Sequence, residues 1–182
     1  MATEDKRWQG GAVGRSGAAQ GAGRTLTGMI YIDSSSLLKL LWEEPESGAV
    51  RKAVAREEQV VVSTLAELET EVQLRAKRLG GAITKTRYQA YRGALASFRE
   101  TAPFEFCDLS GAVFRRAIVQ HVSGSKQHCR TLDRLHLAAM EELGLRRLLT
   151  NDAKQARAAR ALGYTVVSPG LRWTPARTER GR

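Results

Sequence analysis

The sequence predicts an α/β domain in which helices cover both faces of a parallel sheet. Two observations carry this prediction. Short aliphatic runs alternate with helix-like stretches from residue 29 to residue 170, and the connections between them are short. One of the runs, formed by Val60, Val61 and Val62, is continuously β-branched, which is typical of a strand buried on both faces.

In the first half of the domain the predicted elements are a strand at 29–32, helices at about 35–42 and 48–56, a strand at 60–62, and a long helix at 65–79. Pro45 separates the first two helices, because proline interrupts helical hydrogen bonding. Gly80 and Gly81 follow the long helix and provide a C-terminal stop.

In the second half of the domain the predicted elements are a helix at 84–99, a strand at 104–107, helices at 111–121 and 132–143, a strand at 147–149, a helix at 153–162, and a last strand at 165–167. Tyr88, Tyr91 and Leu95 recur at helical spacing and indicate the first of these helices. Pro169 and Gly170 follow the last strand.

The two ends of the chain differ in composition from the domain between them. Residues 1–28 contain seven of the 17 glycines and no hydrophobic period, so we predict a disordered Gly/Ala-rich leader. Met29 is an alternative start of the native protein, a choice that the sequence leaves open. Residues 171–182 are rich in arginine and predict a flexible basic tail. A single domain is therefore expected at 29–170.

Composition narrows the class of protein. No stretch approaches the ~20 apolar residues of a membrane helix, and the N-terminus lacks the apolar segment of a secretory signal. Cys107 and Cys129 form no CxxC pair, so we expect reduced thiols in a cytoplasmic protein. The net charge is +10, and half of this excess lies in the two tails. The mildly basic domain suits a nucleic-acid partner, although an arginine-rich proteome would give the same charge.

Aspartates lie where a parallel sheet gathers its functional groups. Between residues 29 and 170 there are four aspartates, and three of them are at the ends of predicted elements: Asp33, Asp133 and Asp152. The carboxyl ends of parallel strands converge on one crevice. Carboxylates gathered there repel one another unless a divalent cation is present. The pattern therefore predicts metal-assisted chemistry on a phosphate ester.

Each of these acids also has a simpler interpretation. Asp33 and Asp152 can be ordinary helix N-caps, since aspartate is a favoured cap. Asp133 shares a helix face with Leu137 and Met140, where an unpaired acid is costly. His136 lies one turn further on, and we interpret it as a packing or supporting residue rather than a ligand.

The long helix offers three glutamates, of which we select Glu69. It lies on one helical stripe with Leu65 and Val72, and this stripe is predicted to face the core. Glu67 and Glu71 lie on a polar stripe and are predicted to be solvated. A buried ion pair with an arginine is the alternative role of Glu69, and Glu67 remains an alternative fourth acid.

Four segments occur in a familiar order: MIYIDSSSLLKL at 29–40, STLAELE at 63–69, RTLDRLHLAA at 130–139, and LTND at 149–152 with its continuation to residue 170. Together they resemble PIN-domain ribonucleases, especially the VapC-like toxin branch. In the second segment the acid six positions after the serine is again Glu69. The density of glutamates in that segment and the leader before residue 29 depart from the family pattern.

The resemblance implies a three-layer α/β/α sandwich with a parallel sheet of about five strands. It implies Mg²⁺ or Mn²⁺, cleavage of RNA, a cognate antitoxin that blocks the site, and frequent homodimers. On this basis Asp33, Asp133 and Asp152 are the expected metal ligands, and Glu69 completes the catalytic set directly or through a bound water. The metal would polarise the scissile phosphate and activate a water for in-line attack.

Four further residues are candidates for supporting roles: Ser35, Arg130, Thr150 and Asn151. Ser35 and Thr150 are expected to orient ligands or water, and the Asn151 side chain has the hydrogen-bonding groups to do the same. Arg130 is interpreted either as a contact to the phosphate backbone or as the partner of an acid.

Two other functions fit the sequence less well. A phosphate-accepting regulatory domain needs further acids behind the first strand, whereas three serines follow Asp33. A non-catalytic PIN-like module that binds RNA or protein would be expected to lack one of the acids, and here all four positions are filled.

Overall fold

The computed structural model of the protein describes residues 28–123 and 128–170 of the 182-residue chain. The predicted disordered leader, apart from Gly28, and the predicted basic tail lie outside the described residues.

The strands are short and apolar, as expected for a sheet buried on both faces. They are β1 (Met29–Ile32), β2 (Gln59–Ser63), β3 (Phe104–Cys107), β4 (Arg147–Leu149) and β5 (Thr165–Val167). All pairings are parallel, and the strand order is β3-β2-β1-β4-β5. The prediction of a parallel sheet of about five strands is confirmed, and β1 is its central strand.

Helices connect the strands. They are α1 (Ser34–Leu41), α2 (Ser47–Val54), α3 (Thr64–Leu79), α4 (Lys85–Ser97), α5 (Ala112–Ser123), α6 (Thr131–Glu142) and α7 (Ala153–Ala161). Each predicted helix is present, with boundaries that differ by one or two residues. One such difference is at α4, which ends at Ser97 and continues as a 3₁₀ helix, Phe98–Glu100. Gly81, in the predicted stop after α3, has a φ of +76°, which glycine adopts without strain.

Two apolar cores lie on opposite faces of the sheet. Ile30 and Ile32 of β1 face the core that is shared with α1 to α4, whereas Tyr31 faces the core shared with α5 to α7. This alternation follows from the two-residue period of a strand. The layers are therefore helix, sheet and helix, and the predicted three-layer α/β/α sandwich is confirmed.

The orientation of α3 corrects one prediction. The residues of α3 that pack on the sheet are Ala66, Thr70 and Leu74, all of them buried. Val72 is 57% exposed, so the prediction that its stripe faces the core was wrong. Three other aliphatic side chains of α3, those of Leu68, Val72 and Leu79, are exposed on the protein surface.

Among the described residues, no helix combines the length and the apolar composition that crossing a membrane requires.

Candidate active site

The parallel register brings three strand ends together. Ile32 at the end of β1 pairs with Val62 of β2 and with Leu149 of β4. The residues that follow, Asp33 and Thr150, are therefore neighbours at one edge of the sheet. The Asp33 amide continues the ladder by donating to the Leu149 carbonyl at 3.2 Å. This edge is the crevice in which the sequence predicts the functional acids.

Asp33 is the most buried of the candidate acids, with only 1% of its surface exposed. It caps α1, since Oδ1 accepts the Ser36 amide at 3.0 Å. The Ser35 hydroxyl lies 2.8 and 2.9 Å from its two oxygens, and the Thr150 hydroxyl donates to Oδ2 at 2.5 Å. The cap interpretation of Asp33 is thus correct, and the same carboxylate also lies in the predicted crevice.

Burial raises the pKa of Asp33, because removing a carboxylate from water penalises its charged form. Electrostatic attraction to the His136 ring and the hydrogen bonds from Thr150, Ser36 and Ser35 oppose this effect but do not outweigh it. Strongly shifted carboxyl pKa values in a crevice are typical of functional sites.

Glu69 reaches the same crevice from the second turn of α3. Its Oε2 accepts the Ser34 hydroxyl at 2.8 Å and lies 2.6 Å from His136 Nε2. Glu67 instead pairs with Arg99, and Glu71 pairs with Arg92. These two glutamates are therefore held in surface ion pairs with arginines, and Glu69 is the glutamate that lies beside the first strand end.

The environment of Glu69 lowers its pKa, whereas the environment of Asp33 raises the pKa of that acid. Burial acts to raise its pKa, but the hydrogen bond from His136, the electrostatic attraction to the His136 ring and the Ser34 hydrogen bond outweigh burial and hold the pKa below its ordinary value. Glu69 is therefore ionised more readily than an ordinary glutamate.

Asp133 and Asp152 lie at the starts of α6 and α7. Asp133 Oδ2 accepts the Arg130 amide at 3.2 Å, and Asp152 Oδ1 caps α7 by accepting the Lys154 and Gln155 amides at 2.7 and 2.9 Å. Partial burial raises the pKa of Asp133, the Arg130 amide opposes this, and the negative charge of Asp152 raises it further. The two acids are thus close enough to repel each other, as expected of carboxylates that share a site.

The predicted supporting residues lie between these acids. Ser35 accepts the Asn151 amide at 2.9 Å, and the Asn151 side chain connects Ser36 to the Pro169 carbonyl at 3.2 and 2.8 Å. Arg130 has an exposed side chain, and its backbone amide is the group that contacts Asp133. Ser35, Thr150 and Asn151 therefore fix the two strand-end loops.

The sequence analysis missed a buried chain of polar groups behind Glu69. His136 Nδ1 lies 2.7 Å from the Tyr31 hydroxyl, which lies 2.5 Å from Ser63 Oγ. Ser63 in turn accepts the Ala66 amide and caps α3. A tyrosine in the middle of an apolar strand was the available signal, because a buried phenolic hydroxyl needs a hydrogen-bond partner.

The donor set fits a hard divalent cation in its chemistry, since Mg²⁺ and Mn²⁺ prefer carboxylate oxygens. Glu69, Asp133 and Asp152 each use one carboxylate oxygen for protein hydrogen bonds. Among the described residues, the other oxygen of each accepts no hydrogen bond from the protein. The same residues contain no group of three His, Cys, Asp or Glu side chains already arranged around an ion position. The assignment of the four acids as ligands therefore stays a prediction.

The model of the PIN domain matches residues 30–161 of this sequence, which is most of the chain. The chain belongs to the PIN-domain family. It is 32% identical over 142 residues to ribonuclease VapC46 of Mycobacterium tuberculosis, a match that covers 77% of this chain and 97% of that protein. The predicted resemblance to VapC-like PIN domains is confirmed.

Solved structures share this PIN-domain fold. One is VapC20 of Mycobacterium tuberculosis, a toxin that cleaves the sarcin-ricin loop, with a TM-score of 0.59 at 18% identity; the match covers 77% of this chain and 99% of VapC20. Another is a toxin–antitoxin complex from Klebsiella pneumoniae, with a TM-score of 0.53 at 18% identity over 77% of this chain and 97% of that one.

Proposed function

We propose that this PIN domain is a divalent-metal-dependent endoribonuclease and the toxin component of a toxin–antitoxin pair. The observation that supports the proposal is the hydrogen bonding of three acids near the carboxyl ends of β1 and β4: Thr150 joins Asp33 to the Asp152 amide, and Ser34, next to Asp33, donates to Glu69. Among the described residues, Glu69, Asp133 and Asp152 each keep one carboxylate oxygen that accepts no hydrogen bond from the protein. Helix capping alone does not require acids to lie this close together, whereas a cation site does.

The acids would hold Mg²⁺ or Mn²⁺ through Asp33, Asp133 and Asp152, with Glu69 as a ligand or as the acceptor of a water hydrogen bond. A cation bound there polarises the scissile phosphodiester and makes water a stronger nucleophile. Because few protein ligands are preformed, water is expected to complete the coordination, as Mg²⁺ commonly requires.

The chain's own residues prepare the site in two ways. Thr150 and Ser35 hold the Asp33 carboxylate in one orientation from both sides. The single hydrogen of Ser35 is shared between both Asp33 oxygens, so rotating this hydroxyl frees a lone pair at little cost. The basic charge of the domain supplies attraction for the RNA backbone that does not depend on sequence.

Substitution of the acids tests the proposal. Asp33→Asn, Asp133→Asn and Asp152→Asn are each expected to abolish Mn²⁺-dependent cleavage of a single-stranded RNA while the circular dichroism spectrum is unchanged. Asp108→Asn is the matched control, because Asp108 is exposed and lies outside the four acids. Wild-type rates in Asp33→Asn would refute the assignment. Binding of RNA without cleavage at any divalent concentration would identify a non-catalytic PIN-like module instead.

The partners proposed for this chain are an antitoxin protein and a second copy of itself. Large apolar side chains are exposed along neighbouring helices, including Leu68 of α3, Phe114 of α5 and Leu132 of α6. Leu68 and Phe114 line one groove together with Leu135 of α6. Exposed apolar side chains that cluster on neighbouring helices are typical of interaction sites, so the surface formed by α3, α5 and α6 suits a protein partner.

A further inference from the structure

The polar chain behind Glu69 connects the sheet interior to the candidate site. Ser63 and Tyr31 have no exposed surface, His136 is 1% exposed, and the Glu69 side chain is 16% exposed. The groups come from β2, β1, α6 and α3 in that order. Exposure thus increases toward Glu69, and the protein fixes every group behind it.

The hydrogens in this chain can be arranged in a consistent direction. The Ser63 hydroxyl accepts the Ala66 amide and has its hydrogen available to donate to Tyr31. The Tyr31 hydroxyl then donates to His136 Nδ1, and His136 Nε2–H donates to the Glu69 carboxylate. In this arrangement each hydroxyl and ring nitrogen uses its hydrogen or lone pair once, which is what buried polar groups require.

We propose that His136 is a positioning residue that fixes Glu69 Oε2, and that Tyr31 and Ser63 fix His136. The inference rests on the proposed function, because Glu69 matters here as a group that faces a divalent cation. With Ser34 and His136 both bound to Oε2, the carboxylate cannot rotate freely, and Oε1 is the oxygen left to face the cation or its water. Groups that orient ligands in this way commonly tune the affinity of a metal site.

Two substitutions of similar chemistry separate this role from simple packing. Gln in place of His136 presents an amide donor at about the position of Nε2, whereas Asn is too short to reach Glu69. His136→Asn is expected to weaken Mn²⁺ binding by about 10- to 100-fold in calorimetry, and His136→Gln to restore most of the affinity. If His136 only fills space, Mn²⁺ affinity should be unchanged in both variants, and only the free energy of unfolding should fall.

Removal of a single hydroxyl provides a milder test. Tyr31→Phe keeps the ring but leaves His136 Nδ1 without its donor, so a smaller, few-fold loss of Mn²⁺ affinity is expected. Tyr164→Phe is the matched control, because the Tyr164 hydroxyl is also buried but contacts the Leu137 carbonyl. Both variants keep the core volume, so they remain informative if His136→Asn does not fold.

A spectroscopic measurement on the wild-type protein gives an answer that does not depend on substitution. Long-range ¹H–¹⁵N correlation spectra should show a hydrogen on His136 Nε2, and an unprotonated Nε2 would overturn the inference. Unchanged Mn²⁺ affinity in His136→Asn, with loss in Glu69→Gln, would also overturn it while the nuclease proposal stood. Wild-type protein that binds no Mn²⁺ would remove both proposals together.

Discussion

The Thr150 hydroxyl donates to Asp33 Oδ2 at 2.5 Å and accepts the Asp152 amide at 3.0 Å. One fully buried hydroxyl therefore connects the two acids that follow β1 and β4. Its position is set by the parallel pairing of these strands, in which Ile32 lies beside Leu149. The geometry of the acids depends on this side chain as much as on the acids themselves.

Thr150→Val is expected to lower the free energy of unfolding by about 1–3 kcal/mol, because Asp33 loses a donor and the Asp152 amide loses its acceptor. Thr70→Val is the control: Thr70 is equally buried, but its hydroxyl bonds only to the Ala66 carbonyl in its own helix. Urea unfolding of both variants measures the difference. Equal losses in the two variants would mean that Thr150 has no special role.

Asp33→Asn is expected to stabilise the metal-free protein at neutral pH. Because burial raises the pKa of Asp33, folding favours its protonated form, and this contribution is fully present only below the unfolded pKa near ~3.9. This stabilising contribution is lost as pH rises through the raised pKa, so the ionised carboxylate destabilises the folded protein at pH 7. At pH 7 the free energy of unfolding of the variant is expected to rise by an amount on the order of 1 kcal/mol, and at pH 4 it should rise little. Chemical unfolding with a chelator present measures both values.

Glu69→Gln is expected to show the opposite trend with pH. The pKa of Glu69 is lowered in the folded protein, so its stabilising contribution is present above the unfolded value near ~4.3 and is lost as pH falls through the lower folded pKa. The variant should therefore lose roughly 1 kcal/mol at pH 7 and recover below about pH 4. Exposed Glu100→Gln serves as the control, and a loss independent of pH would contradict the assignment.

Mn²⁺ is expected to stabilise the folded protein by mass action. At 100 times the dissociation constant the gain is about 2.7 kcal/mol, which corresponds to a rise in melting temperature of roughly 5–10 °C for a chain of this size. Asp152→Asn should abolish the rise, and excess chelator should reverse it in the wild-type protein. Differential scanning fluorimetry measures each case, and an equal rise in Asp152→Asn would exclude this residue as a ligand.

Phe114→Asp is expected to convert a homodimer to a monomer in light scattering, because Phe114 is 62% exposed in the groove between α3, α5 and α6. Ala90→Asp adds the same charge on exposed α4 and should leave the dimer intact. A wild-type protein that is monomeric at high concentration would show that this surface does not form a homodimer and is available to a different partner.

The sequence predicted the sheet well because buried parallel strands leave a simple pattern of short aliphatic runs. It predicted the orientation of α3 less well. The stripe with Val72 is apolar, and apolarity alone does not distinguish a face on the core from a face exposed for a partner. Glu69 hydrogen-bonds to Ser34 beside Asp33, but the stripe that selected it does not pack on the sheet, and its role as an acid of the active site stays a prediction.

The three aspartates were visible in the sequence because each lies at the end of a recognisable element. The hydrogen-bonded chain behind Glu69 was not visible in the sequence. Tyr31 and His136 are 105 positions apart and meet only through the packing of α6 on β1. A polar contact of this kind has no local pattern. A buried hydroxyl implies that a hydrogen-bond partner exists, but the partner can be identified only from the fold.

The late position of β4 in the chain determines when the crevice can form during synthesis. β1 emerges early from the ribosome, yet the strand that completes its second edge, together with Thr150 and Asp152, is among the last parts of the domain to be synthesised. A nascent chain that has not reached β4 lacks two of the groups that define the crevice. A nascent chain therefore gains this edge of the sheet only late in its synthesis.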